Sequence, residues 1–531
     1  MIAREKLSLP RFWPALAIVV IVLAGIAAVW LLGEHSPANL GRATLAIGGA
    51  GLVAWWATRR PIAAFGILFT LATLSRWTIE LPIGNMRLEQ PAIAFGLLAL
   101  IYARRLPDRA TLRRLLPIAI AFMVYLGALT GSSLLQSPDR IDSLRMVFWI
   151  GLSMAGGLLV FLLLSGQDSQ GGPRWLRLTA GWQAALGTLI AVLFFTLGPI
   201  IVPGTYPVPG MDSKIFGVSW EANLFASLLA ALSFFAVEQF RSRPRLRSAA
   251  LVALALVGVL VADTRGAILG LAAGLIVYAC VILYRRHRPR TLMLPAAVIV
   301  GALVVGAWAT PVLIPNYRVP NQPIDLTTPG WGREFAIGPY LLPGLPSLPG
   351  PSAAPRPSAA PRPSAAPRPS SSHATPSVTP APTPTATPVS DTLAWRLDRI
   401  SIALTDWAPD PVIGLGANSF GQRHLDPSHR NTPDHIAILA VAALYESGVV
   451  GTAGLSIGFG LILLALWRKS RQRDANGPLA AAYLGALVSL LVAYQATNAL
   501  NFSLIWLIAG AGMAIALRVS PDENRVTEQV A

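Results

Sequence analysis

The sequence predicts an all-α polytopic membrane protein with about fourteen transmembrane helices and one large extracytoplasmic loop. Hydrophobic residues make up 54% of the 531-residue chain, and only 13% of its residues are charged. Soluble domains typically contain about 25% charged residues. The apolar residues are concentrated in blocks of roughly 17–25 residues, the length that an α-helix needs to cross a ~30 Å hydrocarbon core.

The apolar blocks are separated by connections that are polar or contain Gly and Pro. The first block follows three basic residues and is longer than a signal-peptide core, so we expect an uncleaved first helix. The block at 437–467 is too long for a simple span, which indicates either one tilted helix or a helix broken near Gly448 and Gly451. The blocks lie near residues 13–33, 43–58, 61–76, 88–103, 115–135, 146–165, 177–202, 218–238, 247–263, 266–284, 292–312, 437–467, 478–496 and 500–517.

The distribution of Arg and Lys predicts the orientation of the chain. The net charge is +17, but the basic residues cluster in short connections between apolar blocks, which is typical of cytoplasmic loops. We therefore expect a multi-pass protein of the cell inner membrane, with both termini cytoplasmic and no nucleic-acid partner. The cytoplasmic clusters are Arg104-Arg105, Arg113-Arg114, Arg241 to Arg247, Arg285 to Arg288 and Arg468-Lys469.

The large loop near the C-terminal end contains a Pro-rich spacer at 343–390. A Pro-Ser-Ala-Ala-Pro-Arg hexapeptide repeats from Pro351 to Arg368, and a Ser/Thr/Pro/Ala tract follows. Pro at this density favours extended, polyproline II-like chain over helix or sheet. The predicted organisation is 1–312, with about eleven transmembrane helices; 313–436, the extracytoplasmic loop; 437–517, with about three helices; and 518–531, a cytoplasmic tail.

Polar residues at the outer ends of the spans are the candidate site residues, because charged groups near lipid usually face a cavity or a partner. Arg265 lies in a turn with almost no loop between two apolar blocks. It either caps a helix or pairs with Asp263, or it binds an anion, since a guanidinium fork matches phosphate oxygens. Glu221 and Asn223 open the span near 218–238, where they either favour the helix start or line a cavity.

Two further groups of residues precede the span that begins near residue 437. Arg396 lies on a predicted helix from Asp391 to Trp407, which is followed by a Gly-rich turn through Gly414 and Gly416. This turn lacks the preceding strand and following helix of a phosphate-binding loop, so we interpret it as a tight turn near the membrane surface. His435, beside Asp434 at a predicted helix start, is either structural or a general base oriented by the carboxylate.

Several common catalytic motifs are missing from the sequence. It contains neither an H-E-x-x-H pattern nor a Walker A motif. Its single cysteine, Cys280, allows no internal disulfide. We therefore expect no ATP, metal or other cofactor.

In their order and spacing, these motifs resemble the O-antigen ligase and O-antigen polymerase superfamily of membrane glycosyltransferases. The resemblance covers roughly residues 215–465 and includes an Asn-x-x-Ala helix start, a Thr-Arg-Gly turn, a Pro-x-x-Gly-x-Gly turn preceded by Arg, and a Glu-x-Gly-x-x-Gly segment. The matching residues are Asn223 and Ala226; Thr264, Arg265 and Gly266; Arg396; Pro411, Gly414, Gly416 and Phe420; and Glu446, Gly448 and Gly451.

The resemblance implies metal- and ATP-independent transfer of a glycan from a polyprenyl-pyrophosphate carrier to an acceptor hydroxyl on the extracytoplasmic face. It implies that Arg265 and Arg396 bind the pyrophosphate and that His435 accepts the proton of the attacking hydroxyl. His435 departs from the family pattern in its spacing to Gly448, so His429 as the base and a mechanism without a histidine stay open. The other candidates for lining the site are Glu221, Asn223 and Asp434.

The acceptor stays open between lipid A core or another lipid, a second glycan and a protein hydroxyl. The main alternative function is a transporter or flippase of lipid-linked or small polar solutes, because many such proteins have a similar number of transmembrane helices. A membrane scaffold whose Pro-rich loop binds partners is a third possibility. The sequence shows no clear internal repeat, and its distinctive polar residues lie at span ends, so it favours the enzyme.

Cysteine labelling in whole cells tests the predicted orientation. In a Cys280→Ser background, Ser358→Cys in the spacer should react with a membrane-impermeant maleimide in intact cells, because the spacer is predicted to be extracytoplasmic. Ser242→Cys in a basic connection should react only after lysis. The reverse pattern would contradict the orientation.

Overall fold

The computed structural model describes residues 37–81, 84–104, 107–165, 171–197, 219, 221–262, 264–286, 290–313, 392–424 and 435–518. This part of the chain is about 82% helical, which confirms the all-α prediction for these residues. The predicted first block at 13–33, the spacer at 343–390 and most of the tail at 518–531 lie outside the described residues.

Each apolar block predicted from residue 43 onward overlaps a helix, and the described strands form one antiparallel hairpin in which Thr78 pairs with Arg87. The elements are α1 Pro37–Ala57, α2 Pro61–Thr73, β1 Thr78–Leu81, β2 Gly84–Arg87, α3 Glu89–Tyr102, α4 Arg109–Leu135, α5 Arg140–Leu164, α6 Gly171–Leu197, α7 Ala222–Ser242, α8 Leu246–Val261, α9 Arg265–Arg286, α10 Arg290–Leu313, α11 Thr392–Trp407, α12 Ser419–Arg423, α13 Leu439–Arg471, α14 Gly477–Ala493 and α15 Ser503–Ala516.

Within the described ranges, five helices are long and apolar enough to cross a membrane, namely α4, α5, α7, α9 and α13. Large apolar side chains also face outward on some of them. On α4, Leu116, Ile120 and Met123 form a stripe, and each is more than half exposed. A soluble protein rarely exposes such a continuous apolar face, whereas a lipid-facing helix does so by necessity. The architecture is that of a helical membrane protein.

The interior of the bundle is built on close helix pairs. Nearly every residue of α7 is buried, because α6, α8, α9 and α14 surround it. The most extensive pairings join α9 to α14, α4 to α13, α5 to α15 and α1 to α3. In the α5–α15 pair, a side chain at Gly510 would collide with the backbone of Gly157, so the two backbones touch. Small residues that permit such approach are typical of helix contacts in membranes.

The bundle has two chemically different ends, which α13 connects. At the end where α13 finishes, the Arg285 guanidinium donates to the carbonyl oxygen of Ser470 at 2.7 Å, and Lys469 pairs with Asp474 at 2.6 Å. Arg114 and Arg468 line a cavity at this end, so predicted cytoplasmic clusters from three connections lie together. The opposite end contains the hairpin and the starts of α7, α9, α13 and α15.

A break in α13 occurs at Gly448, whose backbone angles are φ 64° and ψ −171°. Of the two alternatives for this overlong block, the broken helix is therefore correct. The break leaves backbone N–H and C=O groups without hydrogen-bond partners inside the helix. The turn after α11 provides these partners. The N–H groups of Leu415 and Gly416 donate to the carbonyls of Tyr445 and Glu446 at 2.8 and 3.0 Å, and the N–H of Val449 donates to Pro411 at 2.9 Å.

The turn that pairs with this break has the backbone conformation that its glycines permit. Gly414 and Gly416 have φ values of 83° and 100°, and Asn418, which precedes α12, has φ 56°. Left-handed angles such as these favour Gly and, less strongly, Asn. The Ser133 hydroxyl accepts a hydrogen bond from the Ala417 N–H at 3.0 Å, which ties the turn to α4. The prediction of a tight turn is thus confirmed.

Replacing Gly448 with Ala should destabilise the protein. The backbone conformation is one that essentially only glycine adopts, at a cost of about 1–3 kcal/mol for other residues, and the new Cβ would collide with the Val412 carbonyl. The check is the thermal unfolding midpoint of the purified protein in detergent. Gly460→Ala in the same helix is the matched control, because its Cβ would meet nothing within 4 Å. An equal midpoint for both variants would contradict the prediction.

Candidate functional site

The connection between α14 and α15 is the point at which the candidate site residues meet. We call residues 494–501 the hub segment. It receives the start of α13: the Leu439 N–H donates to the Tyr494 carbonyl at 3.2 Å, and the Ala440 N–H donates to Gln495 Oε1 at 3.2 Å. The first N–H groups of a helix have no partner within the helix. The hub segment therefore fixes where α13 begins.

Arg396 and Glu221 reach the hub segment from two other parts of the chain. The Arg396 guanidinium donates through Nη2 to the Ala496 carbonyl at 3.2 Å, which links α11 to the hub segment. The Thr497 hydroxyl donates to the Glu221 carboxylate, and Glu221 immediately precedes α7. Both predicted residues are half-buried. The hub segment therefore contacts both Arg396 on α11 and the residue that precedes α7.

The turn that contains Arg265 also lies against the hub segment. A Cβ added to Gly266 would collide with the side chain of Ala496, so the two chains are in close contact there. Arg265 is the first residue of α9, and its side chain is exposed. The structure thus brings Arg265, Arg396 and Glu221 to one segment, although they are far apart in the sequence.

A third arginine, which the sequence analysis missed, contacts the hub segment from the hairpin. The Arg87 guanidinium donates to the Asn501 carbonyl and lies 3.7 Å from the ring centroid of Phe502. Glu89, two residues later, accepts a hydrogen bond from the Ser503 hydroxyl at 2.9 Å. Arg87 is half-buried and Glu89 is buried. These contacts join the hairpin to the start of α15.

A pocket of about 200 Å³ opens beside the hub segment. His435 lines it with an exposed side chain, and Glu446 lines it with a half-buried one. The N–H of Asn418 donates to the Glu446 carboxylate at 3.1 Å, so the Gly-rich turn fixes the position of this acid. The other lining residues are Tyr125, Met146, Ile150, Phe420, Gly421, Ile436, Ala443, Asn498, Leu500 and Asn501.

A histidine that the sequence analysis did not single out connects the elements around the pocket. His424 Nε2 lies 2.6 Å from Asp406 Oδ2, and the Tyr445 hydroxyl donates to the same carboxylate oxygen at 3.3 Å. The Phe420 ring contacts both His424 and Tyr445, with centroids 4.7 and 5.4 Å apart. Asp406 lies on α11, so this cluster links α11, α12 and α13.

The remaining predicted residues lie as follows. Asn223 is half-buried in the first turn of α7. Asp434, His429 and Asp263 lie outside the described residues, so their proposed roles stay predictions. Among the residues that the structure describes, no group of three or more His, Cys, Asp or Glu side chains is arranged to hold a metal ion.

The hub segment itself was missed because its boundaries were predicted wrongly. Spans at 478–496 and 500–517 would put most of it inside helices, whereas α14 ends at Ala493 and α15 begins at Ser503. Its polar residues, Gln495, Thr497, Asn498 and Asn501, cluster between two apolar blocks. The criterion applied elsewhere, polar residues at outer span ends, would have found them.

No protein-family model matches the chain, and no curated protein matches it in sequence. The resemblance to O-antigen ligases therefore rests on the sequence motifs alone.

Thr497→Val should loosen the start of α7, because it removes a hydroxyl that donates to the Glu221 carboxylate. Losing a hydrogen bond to a charged group costs about 1.5–3 kcal/mol. The measurement is the thermal unfolding midpoint in detergent. Thr405→Val is the matched control, since that exposed hydroxyl only donates to the Ser401 carbonyl within α11. A drop in the midpoint that is no larger than that of the control would contradict the role given to Thr497.

Proposed function

We propose that the protein transfers a glycan from a polyprenyl-pyrophosphate carrier to an acceptor hydroxyl at the extracytoplasmic face of the inner membrane, as O-antigen ligases and polymerases do. The observation that carries this proposal is the convergence of Arg265, Arg396 and Glu221 on the hub segment, beside the pocket that His435 lines. The resemblance assigns roles to Arg265, Arg396 and His435, and Glu221 is a further candidate for lining the site. The four come from separate parts of the sequence.

The proposed membrane arrangement has about fourteen transmembrane helices, with both termini in the cytoplasm. The segment from 313 to 436 is then the one large extracytoplasmic loop. The basic end of the bundle, with Arg114, Arg285 and Arg468, faces the cytoplasm, and the hub segment faces outward. A lipid-linked donor would reach such a site from the outer leaflet, with its polyprenyl chain in the bilayer.

In the proposed reaction, Arg265 and Arg396 bind the pyrophosphate of the donor. The acceptor oxygen attacks the anomeric carbon, the new C–O bond forms as the bond to the pyrophosphate oxygen breaks, and the electron pair leaves with the polyprenyl pyrophosphate. Guanidinium groups placed before the reaction stabilise the charge that develops on this leaving group. Because the pyrophosphate is already a good leaving group, the transfer requires no nucleotide.

His435 is the proposed general base. Its side chain is exposed and lines the pocket, where an acceptor hydroxyl can approach. The proton of the attacking hydroxyl passes to the imidazole nitrogen as the new glycosidic bond forms. The donor-binding arginines and the base then act on opposite sides of the anomeric carbon, which predicts inversion of its configuration.

A release assay tests the function. Purified protein with a polyprenyl-pyrophosphate oligosaccharide, EDTA and no nucleotide should release polyprenyl pyrophosphate only when a suitable acceptor is present. We expect Arg265→Ala and Arg396→Ala to lower the rate roughly 100- to 1,000-fold, as loss of one charge-stabilising donor does. His435→Ala should lower it about 100- to 10,000-fold.

Arg243→Ala at the basic end is the matched control and should keep the wild-type rate. If His435→Ala were as active as wild type, the base would have to be His429 or another group. No release from folded wild-type protein with any donor and acceptor would contradict the proposal and favour transport, which flux assays in proteoliposomes would then measure.

A further inference from the structure

The pocket beside His435 differs in charge from the arginine-bearing surface around the hub segment. The described residues that line it include one carboxylate, Glu446, and three carboxamides, Asn418, Asn498 and Asn501, but neither lysine nor arginine. A pyrophosphate would find no cation among the described residues that form these walls. The pocket is therefore suited to a different part of the substrates from the one that Arg265 and Arg396 bind.

Asn501 indicates that the pocket is built for a polar occupant. Its Oδ1 is buried and has no hydrogen-bond partner among the described residues, and its Nδ2 lies 3.9 Å from the Met146 sulfur, a weak acceptor. Buried polar groups in native proteins are nearly always hydrogen-bonded, and an orphaned one is costly. An occupant with hydroxyl groups would satisfy both ends of this carboxamide.

Glu446 is held in place at the pocket wall. Its backbone carbonyl accepts hydrogen bonds from the Ser132 hydroxyl at 2.7 Å and from the Gly416 N–H at 3.0 Å. One carboxylate oxygen accepts the Asn418 N–H at 3.1 Å. A carboxylate has about four acceptor positions, so capacity remains for hydroxyl donors from an occupant.

We infer that this pocket binds one uncharged sugar ring of the acceptor, with Glu446 and Asn501 hydrogen-bonded to its hydroxyls. The volume of about 200 Å³ is below the roughly 300–1,000 Å³ of pockets for drug-sized ligands, which suits a single ring. The biological role of this subsite rests on the proposed transfer reaction. Its position beside His435 places a hydroxyl of the bound ring where the base can take its proton.

The charges around the pocket predict which sugars enter. The Asp142 carboxylate, which accepts from the Asn418 side chain at 2.8 Å, is paired with Arg145, so among the described residues Glu446 is the one acid that lines the pocket, and neither lysine nor arginine lines it. Uronic acids and sugar phosphates are therefore disfavoured, and neutral hexoses or N-acetylhexosamines are favoured. A site built to hydrogen-bond a hydroxyl also rejects the deoxy analogue, because its own polar groups would be left unpaired.

Saturation-transfer NMR on the full-length protein in detergent tests the inference without any donor. The probes are methyl glycosides of neutral hexoses, N-acetylhexosamines and uronic acids. We expect transfer to at least one neutral glycoside and none to the uronates. Glu446→Gln keeps the acceptor for the Asn418 N–H but removes the charge, and it should weaken binding about ten- to a hundredfold.

Asp410→Asn is the matched control, since it removes an exposed carboxylate at the same end of the bundle but outside the pocket. Asn501→Leu is a second variant and should abolish binding while the unfolding midpoint stays the same or rises, because an unpaired buried amide is lost. A lower midpoint with binding intact would show that Asn501 is structural and would overturn its role. Wild-type protein that binds no neutral glycoside, or binds uronates equally well, would overturn the subsite.

The release assay separates this inference from the proposed function. Sugar binding that depends on Glu446, without any transfer by wild-type protein, would contradict only the transfer reaction. Transfer by Glu446→Gln at the wild-type rate and acceptor KM would contradict only the subsite.

Discussion

The left-handed backbone at Gly448 is the constraint on which the candidate site depends. A continuous helix would keep the carbonyls of Tyr445 and Glu446 within its own hydrogen-bond ladder. Because the helix breaks, these carbonyls and the N–H of Val449 pair with the turn that follows α11. That pairing places Asn418 where its N–H binds the Glu446 carboxylate, and it anchors one end of α11, the helix that carries Arg396.

The hub segment also positions residues of the candidate site, through contacts of its own backbone and side chains. It is irregular chain, so its carbonyls are available to side chains from outside, and guanidinium groups of Arg87 and Arg396 bind two of them. Its side chains provide the remaining links, through Thr497 to Glu221 and through Gln495 to the start of α13. Irregular backbone at the end of a membrane bundle is stable only where such partners satisfy it. Here the same contacts also position the cationic groups.

The sequence predicted the parts of this structure that depend on local pattern. Apolar length located the helices from residue 43 onward, and the glycines indicated both the tight turn and the break. Arg265 and Glu221 were found because charges at span ends are unusual, and Arg396 was found through its place in the motif pattern. The pairing of the turn with the break, and the contacts of the hub segment, join residues that are distant in sequence, so no local pattern reveals them. Arg87 was missed for the same reason, since only its contact with Asn501 gives it a place at the site.

The position of the hub segment along the chain has a consequence for biosynthesis. Its partners on α7, α9, α11 and α13 all precede it in the sequence, and the Pro-rich spacer separates two of those helices from the other two. During synthesis α7 and α9 are made long before the segment that joins them to α11 and α13 exists. A chain released early would contain the arginines without the backbone that orders them. The catalytic arrangement that we propose would therefore form late, after α14 and α15 have been inserted, and incomplete chains would have no organised site at which to meet a lipid-linked donor.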